Sequence, residues 1–286
     1  MPNALAVKFS GATEEYIDAR PDYPATLYNA IVRLIPTPSR EKATIIWDCA
    51  TGPNAGVVSS LSQHNFPACF SSIRVHATDY DPATLQSGQA HYERSATPRG
   101  LFRASFSKAA AEVGPPLGQG EKLSATLVGN ALHWFDDIMF FQAVHRASKK
   151  DALFAAWTHK LEPTIPECGA LQRAVWVLAE SLRPFEEPRC RDYVTGGYNN
   201  LGVFPFREEL FLGAHTIRKA MNLETFGAYY RSLLTGARYE QATGQDVRKL
   251  VHDHLGKVWS HPSRTVTCEW NVDVRAARVG SYNGPV

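Results

Sequence analysis

Two acidic residues, each placed where a short apolar run ends, are the first candidates for a binding site. Asp48 closes a run that opens with β-branched residues at 44–46, which suit a strand buried on both faces. The small-residue stretch ATGPNAG (50–56) follows and leads into a helix with apolar periodicity. Small residues let a ligand lie against the backbone, and free N–H groups at a helix start can bind it. Many such turns carry no ligand, so a plain connection is the alternative.

Asp79 follows a second predicted strand, at 74–78, where nucleotide-binding folds hold a ribose diol. Alternatively, its carboxylate caps the helix that Pro82 opens, which is a common role for Asp before Pro. The nearby Asp81 can take that capping role. Asp48 and Asp79 would then both serve one ligand that has a diol and a cationic part.

A histidine follows another predicted strand, at 125–132, in the sequence HWFD (133–136). His133 can act as a general base toward a phenol, a hydroxyl or an amine. The alternative is a hydrogen bond that positions the loop, while Trp134 packs on a cofactor or on the core. The pair His252 and His254 has no accompanying carboxylate cluster, so we predict no metal site.

The elements that position these residues alternate between strand and helix. Further strands are predicted at 101–106 and 152–158, and this alternation favours a parallel sheet with helices on both faces. Ligands bind such sheets at the carboxyl ends of the strands. A strand at 210–216 and two helices follow, and the alternating apolar residues of 264–279 predict a closing edge strand.

The bulk composition limits the possible partners. The chain has 286 residues, of which 44% are hydrophobic and 20% charged, and its formal net charge is +2. This balance suits a globular protein and predicts no broad basic surface for nucleic acid. No apolar run reaches the length of a membrane span, and the start MPNALAVKFSG lacks the apolar stretch of a signal peptide. The five scattered cysteines show no disulfide or metal spacing, so we expect a cytoplasmic protein.

Two further segments could cover the strand ends. An N-terminal arm precedes Pro24, and it either packs on the domain or folds over a ligand and offers Arg20 to a carboxylate. The segment 162–206 is rich in proline and aromatic residues and predicts a cap. We predict that some of its aromatic rings line a cavity together with Trp134, and the alternative is that they form the cap's own small core. These rings are Trp176, Phe185, Tyr193, Tyr198, Phe204 and Phe206.

Four segments together resemble the class I S-adenosylmethionine-dependent methyltransferases, and among them the trans-aconitate methyltransferase-like group of small-molecule enzymes. They are FSGATEEYIDARPDYP (9–24), IIWDCATGPNAG (45–56), VHATDYDPATL (75–85) and ALHWFDD (131–137). The resemblance implies an α/β fold with a Rossmann-like sheet of seven strands, the last antiparallel, and a helical and aromatic cap. It also implies S-adenosyl-L-methionine as the cofactor, lying across the first two strand ends.

The resemblance further implies which residues hold that cofactor. The loop after the first strand would contact the methionine moiety, and Asp79 would bind the ribose hydroxyls. Ser105 and Phe106 would border the adenine, and Tyr16 and Arg20 would come from the arm that closes the site. By position, the cofactor-binding set is Tyr16, Arg20, Asp48, Ala50, Gly52, Asn54, Asp79, Tyr80, Ser105, Phe106 and Asn130.

The glycine loop departs from the pattern of the family it resembles, because Ala50 and Asn54 stand where glycine is usual. Asn tolerates a positive φ better than most residues. Three interpretations therefore stay open: a methyltransferase, a cyclase or pericyclase built on the same fold, and a non-catalytic binding protein. The retained pair Asp48 and Asp79 argues against the third.

The prediction is a methyltransferase of secondary metabolism that acts on a small molecule. We expect transfer to oxygen, on a carboxylate or a natural-product hydroxyl, with His133 as the catalytic residue and His133 and Trp134 as substrate contacts. No partner in the form of nucleic acid or membrane is expected.

The predicted organisation is a single domain over 1–286. An arm and helix occupy 1–43, a cofactor-binding core 44–160, a cap 161–206, and helices with closing strands 207–286.

Overall fold

An eight-stranded sheet with helices on both faces is the centre of the computed structural model of the protein. The structure describes residues 14–37, 43–95, 100–201, 204–206, 208–259, 261–280, 282 and 284. In this part of the chain the strands are β1 (Thr44–Cys49), β2 (Ile73–Asp79), β3 (Phe102–Lys108), β4 (Leu123–Gly129), β5 (Ser148–His159), β6 (Glu209–Leu210), β7 (His215–Met221) and β8 (Val266–Val279). The helices are α1 (Glu14–Ala19), α2 (Ala25–Leu34), α3 (Gly56–Gln63), α4 (Pro82–Ser95), α5 (Asp137–Ala147), α6 (Gly169–Leu182), α7 (Pro188–Thr195), α8 (Leu223–Arg231), α9 (Leu234–Thr243) and α10 (Val247–Leu255).

The strand order is β3-β2-β1-β4-β5-β8, and both β6 and β7 pair with the far side of β8. Strands β1 to β5 run parallel, and β8 is antiparallel to β5. This order confirms the predicted α/β sheet with an antiparallel last strand. The described residues contain eight strands instead of seven because the place beside β8 is divided between the two-residue β6 and the longer β7.

One correction concerns β8, which was predicted as an edge strand. It pairs with β5 along one side and with β6 and β7 along the other, so both of its edges are hydrogen-bonded. Its sequence alternates because buried residues such as Cys268 and Trp270 are separated by more exposed ones. Alternation describes the two faces of a strand and says nothing about its edges, which is why the prediction failed.

The sheet is buried on both faces by two separate apolar cores. All six residues of β1 are buried, and side chains of alternate residues enter different cores, as in Ile46 and Trp47. The first core joins the sheet to α2, α3 and the C-terminal helices. The second is built from phenylalanine rings around α5, where Phe140 and Phe141 pack against Phe154. Strands that are covered on both faces read as continuous apolar runs, as β1 and β5 do.

Among the described helices, none combines the length and the apolar character that a membrane crossing requires.

The start of α8 gives a test of local stability away from the strand ends. The Asn222 side chain accepts a hydrogen bond from the Thr225 amide at 2.8 Å, and the Thr225 hydroxyl accepts one from the Asn222 amide at 2.9 Å. We expect Asn222→Ala to lower the free energy of unfolding by about 1 kcal/mol, because one amide loses its partner. Urea unfolding measures this change. Asn222→Ser keeps an acceptor and should stay close to the wild type, and equal losses in both variants would contradict the capping role.

Candidate functional site

A large cleft lies at the carboxyl ends of the central strands. Its volume is about 1190 Å³, and its walls come from the N-terminal arm, the β1–α3 loop, the ends of β2, β4 and β5, the cap and the start of α9. This is the edge at which parallel α/β sheets bind ligands. Of the predicted site residues, the cleft is lined by Arg20, Ala50, Gly52, Asn54, Asp79, Tyr80, Asn130, His133 and Trp134.

The β1–α3 loop holds an unusual backbone conformation. Ala50, Gly52 and Ala55 have φ values of 56°, 71° and 46°. The amide of Gly52 donates to Asp79 Oδ2 at 3.1 Å, and the amide of Asp81 donates to the other oxygen of Asp79 at 3.1 Å. The carboxylate of Asp79 thus connects the loop to the end of β2 and lies in the cleft wall. Asp81 caps α4 through the amide of Thr84, as predicted.

Helix α4 supports the same loop from behind. A Cβ atom on Gly88 would lie 2.4 Å from the carbonyl oxygen of Gly52 and 3.6 Å from the Cβ atom of Ala55. Only a glycine at this position lets the helix approach the loop so closely. The conformation of the loop therefore depends on Gly88, which lies within a helix and which no sequence pattern marked as important.

Asp48 does not reach the cleft, in contrast to the prediction. Its side chain is fully buried beneath the loop, where Oδ2 accepts a hydrogen bond from the Thr51 hydroxyl at 2.7 Å. Within the described residues, Oδ1 has no hydrogen-bond partner. Burial, with a smaller contribution from the negative charge of Asp79, raises the pKa of this carboxyl to about 7. Asp48 supports the loop from below and does not line the cleft.

Ser105 and Phe106 are also placed away from the cleft. Strand β3 continues to Lys108, two residues beyond the predicted end, so these side chains lie within the strand. Ser105 bonds to His76 on β2, and Phe106 packs against Tyr92 with ring centroids 5.5 Å apart. The residues that follow β3 and border the cleft are Ala109, Ala110, Ala111 and Glu112.

Asn130 stands directly after β4 with a φ of 54°. Its Oδ1 accepts a hydrogen bond from the Thr158 hydroxyl at 2.8 Å, and its amide donates to the Trp157 carbonyl at 2.7 Å. The side-chain Oδ1 bond and the backbone N–H bond of Asn130 together connect the end of β4 to the end of β5. The side chain therefore lines the cleft in a fixed orientation, as predicted for this strand end.

His133 and Trp134 lie in a short helical turn after Asn130. His133 is 6% exposed, and its Nδ1 is 3.1 Å from the Tyr198 hydroxyl. Burial, together with the charge of Arg189, lowers the pKa of His133 to about 3, so the ring is neutral at pH 7. The ring also contacts Trp134, with centroids 5.0 Å apart. The structure thus supports both the positioning hydrogen bond and the position at the cleft.

A second histidine, His159, was missed by the sequence analysis. It is the last residue of β5 and lines the cleft beside the end of β4, although only 3% of the residue is exposed. The predicted strand stopped one residue earlier, at 158. The rule that ligands meet the carboxyl ends of parallel strands was the signal that could have found it.

The N-terminal arm contributes Arg20 to the cleft wall. One Nη of Arg20 donates to the Ser232 carbonyl at 2.7 Å, and the guanidinium lies 6.0 Å from the ring centroid of Tyr229. These contacts anchor the arm to α8. The side chain of Tyr16 lies outside the part of the chain that the structure describes.

The predicted aromatic lining of the cap is wrong. Trp176 is 56% exposed, and Phe204 and Phe206 pack on Phe141 in the second core. Of the aromatic residues proposed, the cleft wall contains only Trp134. The cap residues that line the cleft are Leu161, Glu162, Ala179, Arg183, Glu186, Glu187, Cys190, Arg191, Val194 and Thr195. The cap therefore presents mostly polar and charged groups to the cleft, and its rings, apart from the exposed Trp176, pack with the two cores of the sheet.

Within the described residues, no group of three or more His, Cys, Asp or Glu side chains is arranged to hold a metal ion.

Comparison with known proteins places the fold. The sequence matches no known protein-family profile and no curated protein. A solved structure described as a candidate type II methyltransferase from Anaeromyxobacter dehalogenans is 23% identical, with a TM-score of 0.70 over 92% of this chain and 99% of that chain. A candidate methyltransferase from Bacillus halodurans is 16% identical, with a TM-score of 0.46 over 90% of this chain and 100% of that chain.

The first of these similarities, together with the sheet order, identifies the fold. The fold is the Rossmann-like α/β fold of class I methyltransferases. The trans-aconitate methyltransferase-like group remains a prediction from the sequence.

Proposed function

We propose that the protein is an S-adenosylmethionine-dependent methyltransferase that transfers a methyl group to an oxygen atom of a small molecule, either a carboxylate or a hydroxyl. The observation that carries this proposal is the bond between the Gly52 amide and Asp79 Oδ2. It joins a small-residue loop and an acidic strand end into one wall of the cleft.

The charges and shapes along this wall fit the cofactor. Asp79 keeps lone pairs that can accept from ribose hydroxyls, because each oxygen takes one amide hydrogen at 3.1 Å. Gly52 and Asn54 present a loop without bulky side chains to the amino acid part. Arg20 supplies a cation for the carboxylate, and Asn130 also lines the cleft.

The size of the cleft fits two molecules. Ligand pockets commonly measure about 300–1,000 Å³, and this cleft measures about 1190 Å³. The cofactor would occupy the part next to β1 and β2, and a substrate of moderate size the part next to β4, β5 and the cap. Because the cap wall is polar, we propose a substrate that carries polar groups.

When bound, the cofactor supplies an electrophilic methyl group on a sulfonium. The task of the chain is then to hold the acceptor in line with that methyl group and to exclude water. His133 and Trp134 contact each other in the cleft wall, where they can orient an acceptor. His133 is neutral at pH 7, so it can accept or donate a hydrogen bond without adding charge.

Binding of S-adenosylhomocysteine tests the proposal. Calorimetry should show binding to the wild type and an affinity about tenfold lower for Asp79→Asn, because one charge-assisted contact to the ribose is weakened. Asp253→Asn changes an exposed carboxylate on α10 that pairs with Lys249, and it should bind as the wild type does. No binding to the wild type would refute the proposed function, and equal affinities for all three proteins would refute the role of Asp79.

A further inference from the structure

The hydrogen bond made by His159 fixes which of its ring nitrogens carries the proton. Nδ1 lies 2.8 Å from the carbonyl oxygen of Lys160. A carbonyl oxygen can only accept, so Nδ1 is the donor and holds a hydrogen. In a neutral imidazole the other nitrogen, Nε2, then has a lone pair and no hydrogen.

The surroundings of His159 hold the ring neutral and in place. Burial is the main cause that lowers its pKa to about 4, and the positive charge of Arg20 adds to it against the raising effect of the Lys160 carbonyl. The rings of Tyr23 and Trp270 pack against it, with centroids 6.1 and 6.2 Å away. Arg20 and His133 are the other titratable groups of the cleft whose charges interact with the ring.

Nε2 has no hydrogen-bond partner among the described residues, although the ring lines the cleft. A buried side chain that presents a lone pair to a ligand cleft is matched by a ligand that donates a hydrogen. His133 differs in this respect, because its partner is the Tyr198 hydroxyl, which can donate or accept. Of these two cleft histidines, His159 is the one whose hydrogen bond determines the tautomer.

The charges of the cleft wall favour the same kind of ligand. Two glutamates, Glu162 and Glu186, line the cleft and accept no side-chain hydrogen bond from the described residues. Burial raises the pKa of Glu186, and the charge of Glu162 raises it further. Arg191 and Arg183 offset part of this negative charge, but a substrate carboxylate placed beside the two glutamates and the lone pair of Nε2 would still meet repulsion. A substrate hydroxyl, in contrast, could donate its hydrogen to the lone pair of His159 Nε2.

We propose that His159 Nε2 accepts the hydrogen of a substrate hydroxyl, so that the methyl acceptor is a hydroxyl and not a carboxylate. This inference rests on the proposed methyltransferase function. A lone pair of the hydroxyl oxygen forms the new O–C bond, the C–S bond breaks, and its electron pair stays on sulfur. The hydroxyl proton moves to Nε2, and the imidazolium passes it to water.

The weak basicity of His159 suits this step. As the O–C bond forms, the oxygen gains positive charge and becomes a much stronger acid than an imidazolium, so a late proton transfer is downhill. The imidazolium that results is disfavoured by burial and by Arg20, and it returns its proton readily.

Nitrogen NMR of protein labelled with ¹⁵N-histidine tests the inference directly, with His159→Asn used to assign the signals. At pH 7 we expect a neutral His159 with an unprotonated Nε2. In the presence of S-adenosylhomocysteine, phenol should move the Nε2 resonance toward the protonated position, and benzoate should leave it unchanged. A protonated Nε2, no response to phenol, or an equal response to benzoate would overturn the inference. Calorimetry with S-adenosylhomocysteine on the same sample separates these results from a failure of the proposed function.

Two variants of His159 separate a hydrogen-bond role from a packing role. Asn can replace the Nδ1 donor but has no group at the Nε2 position, whereas Gln can bring an amide oxygen there. We expect the Kd for phenol to rise about fivefold in His159→Asn, which corresponds to one hydrogen bond, and to stay within about twofold in His159→Gln. Equal weakening in both variants would show that His159 only packs.

Discussion

Replacing Asp48 by Asn should change how stability depends on pH, by about 2–3 kcal/mol between pH 5 and pH 8. The carboxyl of Asp48 has a pKa of about 7 in the folded protein because of its burial, against an ordinary value of 3.8. Between these two values the unfolded chain has lost the proton and the folded chain has kept it. The wild type therefore loses stability as the pH rises through this window, and an Asn at position 48 removes that loss.

Urea unfolding followed by tryptophan fluorescence at pH 5, 6, 7 and 8 measures the effect. The quantity to compare is the difference in unfolding free energy between Asp48→Asn and the wild type, which should move in favour of Asn as the pH rises and level off above pH 7. Asp253→Asn is the control, because its pKa is lowered by Lys249 and it titrates below this range. Parallel curves for Asp48→Asn and the wild type would show that Asp48 is ionised in the folded state throughout.

The second large effect is expected for Gly88→Ala. The new methyl group would lie 2.4 Å from the Gly52 carbonyl oxygen, so α4 and the β1–α3 loop must move apart. In catalysis a misplacement of about 1 Å can lower the rate about 100-fold. We expect a loss of similar size in the affinity for S-adenosylhomocysteine. Overpacking should also lower the free energy of unfolding by about 1–3 kcal/mol, reduced by the better helix propensity of Ala, about 1 kcal/mol.

Gly227→Ala is the matched control for this experiment. Gly227 lies in α8, and its added Cβ atom would meet the nearest side-chain atom, on Arg248, at 3.4 Å, which is an ordinary contact. This variant should gain stability from helix propensity and bind S-adenosylhomocysteine as the wild type does. Calorimetry and thermal unfolding on both variants give the comparison. Unchanged binding by Gly88→Ala would mean that the loop does not depend on α4.

The parts of the fold that follow from local patterns were predicted well. The apolar runs of β1 and β5 and the small-residue loop at 50–56 locate the sheet and its binding edge, because strand burial and turn chemistry are local properties. Gly52, Asn54 and Asp79 were placed correctly at the cleft for the same reason.

The parts that depend on distant packing were not predicted. Asp48 ends an apolar strand, and nothing local shows that its side chain turns inward, below the loop. The sequence does not show whether an aromatic residue of the cap faces the cleft or a core. Phe206, for example, packs in the core formed by α5 and β5. An error of two residues at the end of β3 was enough to move Ser105 and Phe106 out of the site. Strand ends are therefore the weakest point of such a prediction.

The position of β8 has a consequence for the order in which the protein can be made. Strand β5 receives its outer neighbour only from residues 272–279, more than a hundred positions further along the chain. During synthesis the outer edge of the apolar strand β5 therefore stays unpaired until nearly the whole sequence has left the ribosome. Chains stopped before residue 266 would keep that edge exposed, so interrupted translation products of this protein should aggregate and depend on chaperones.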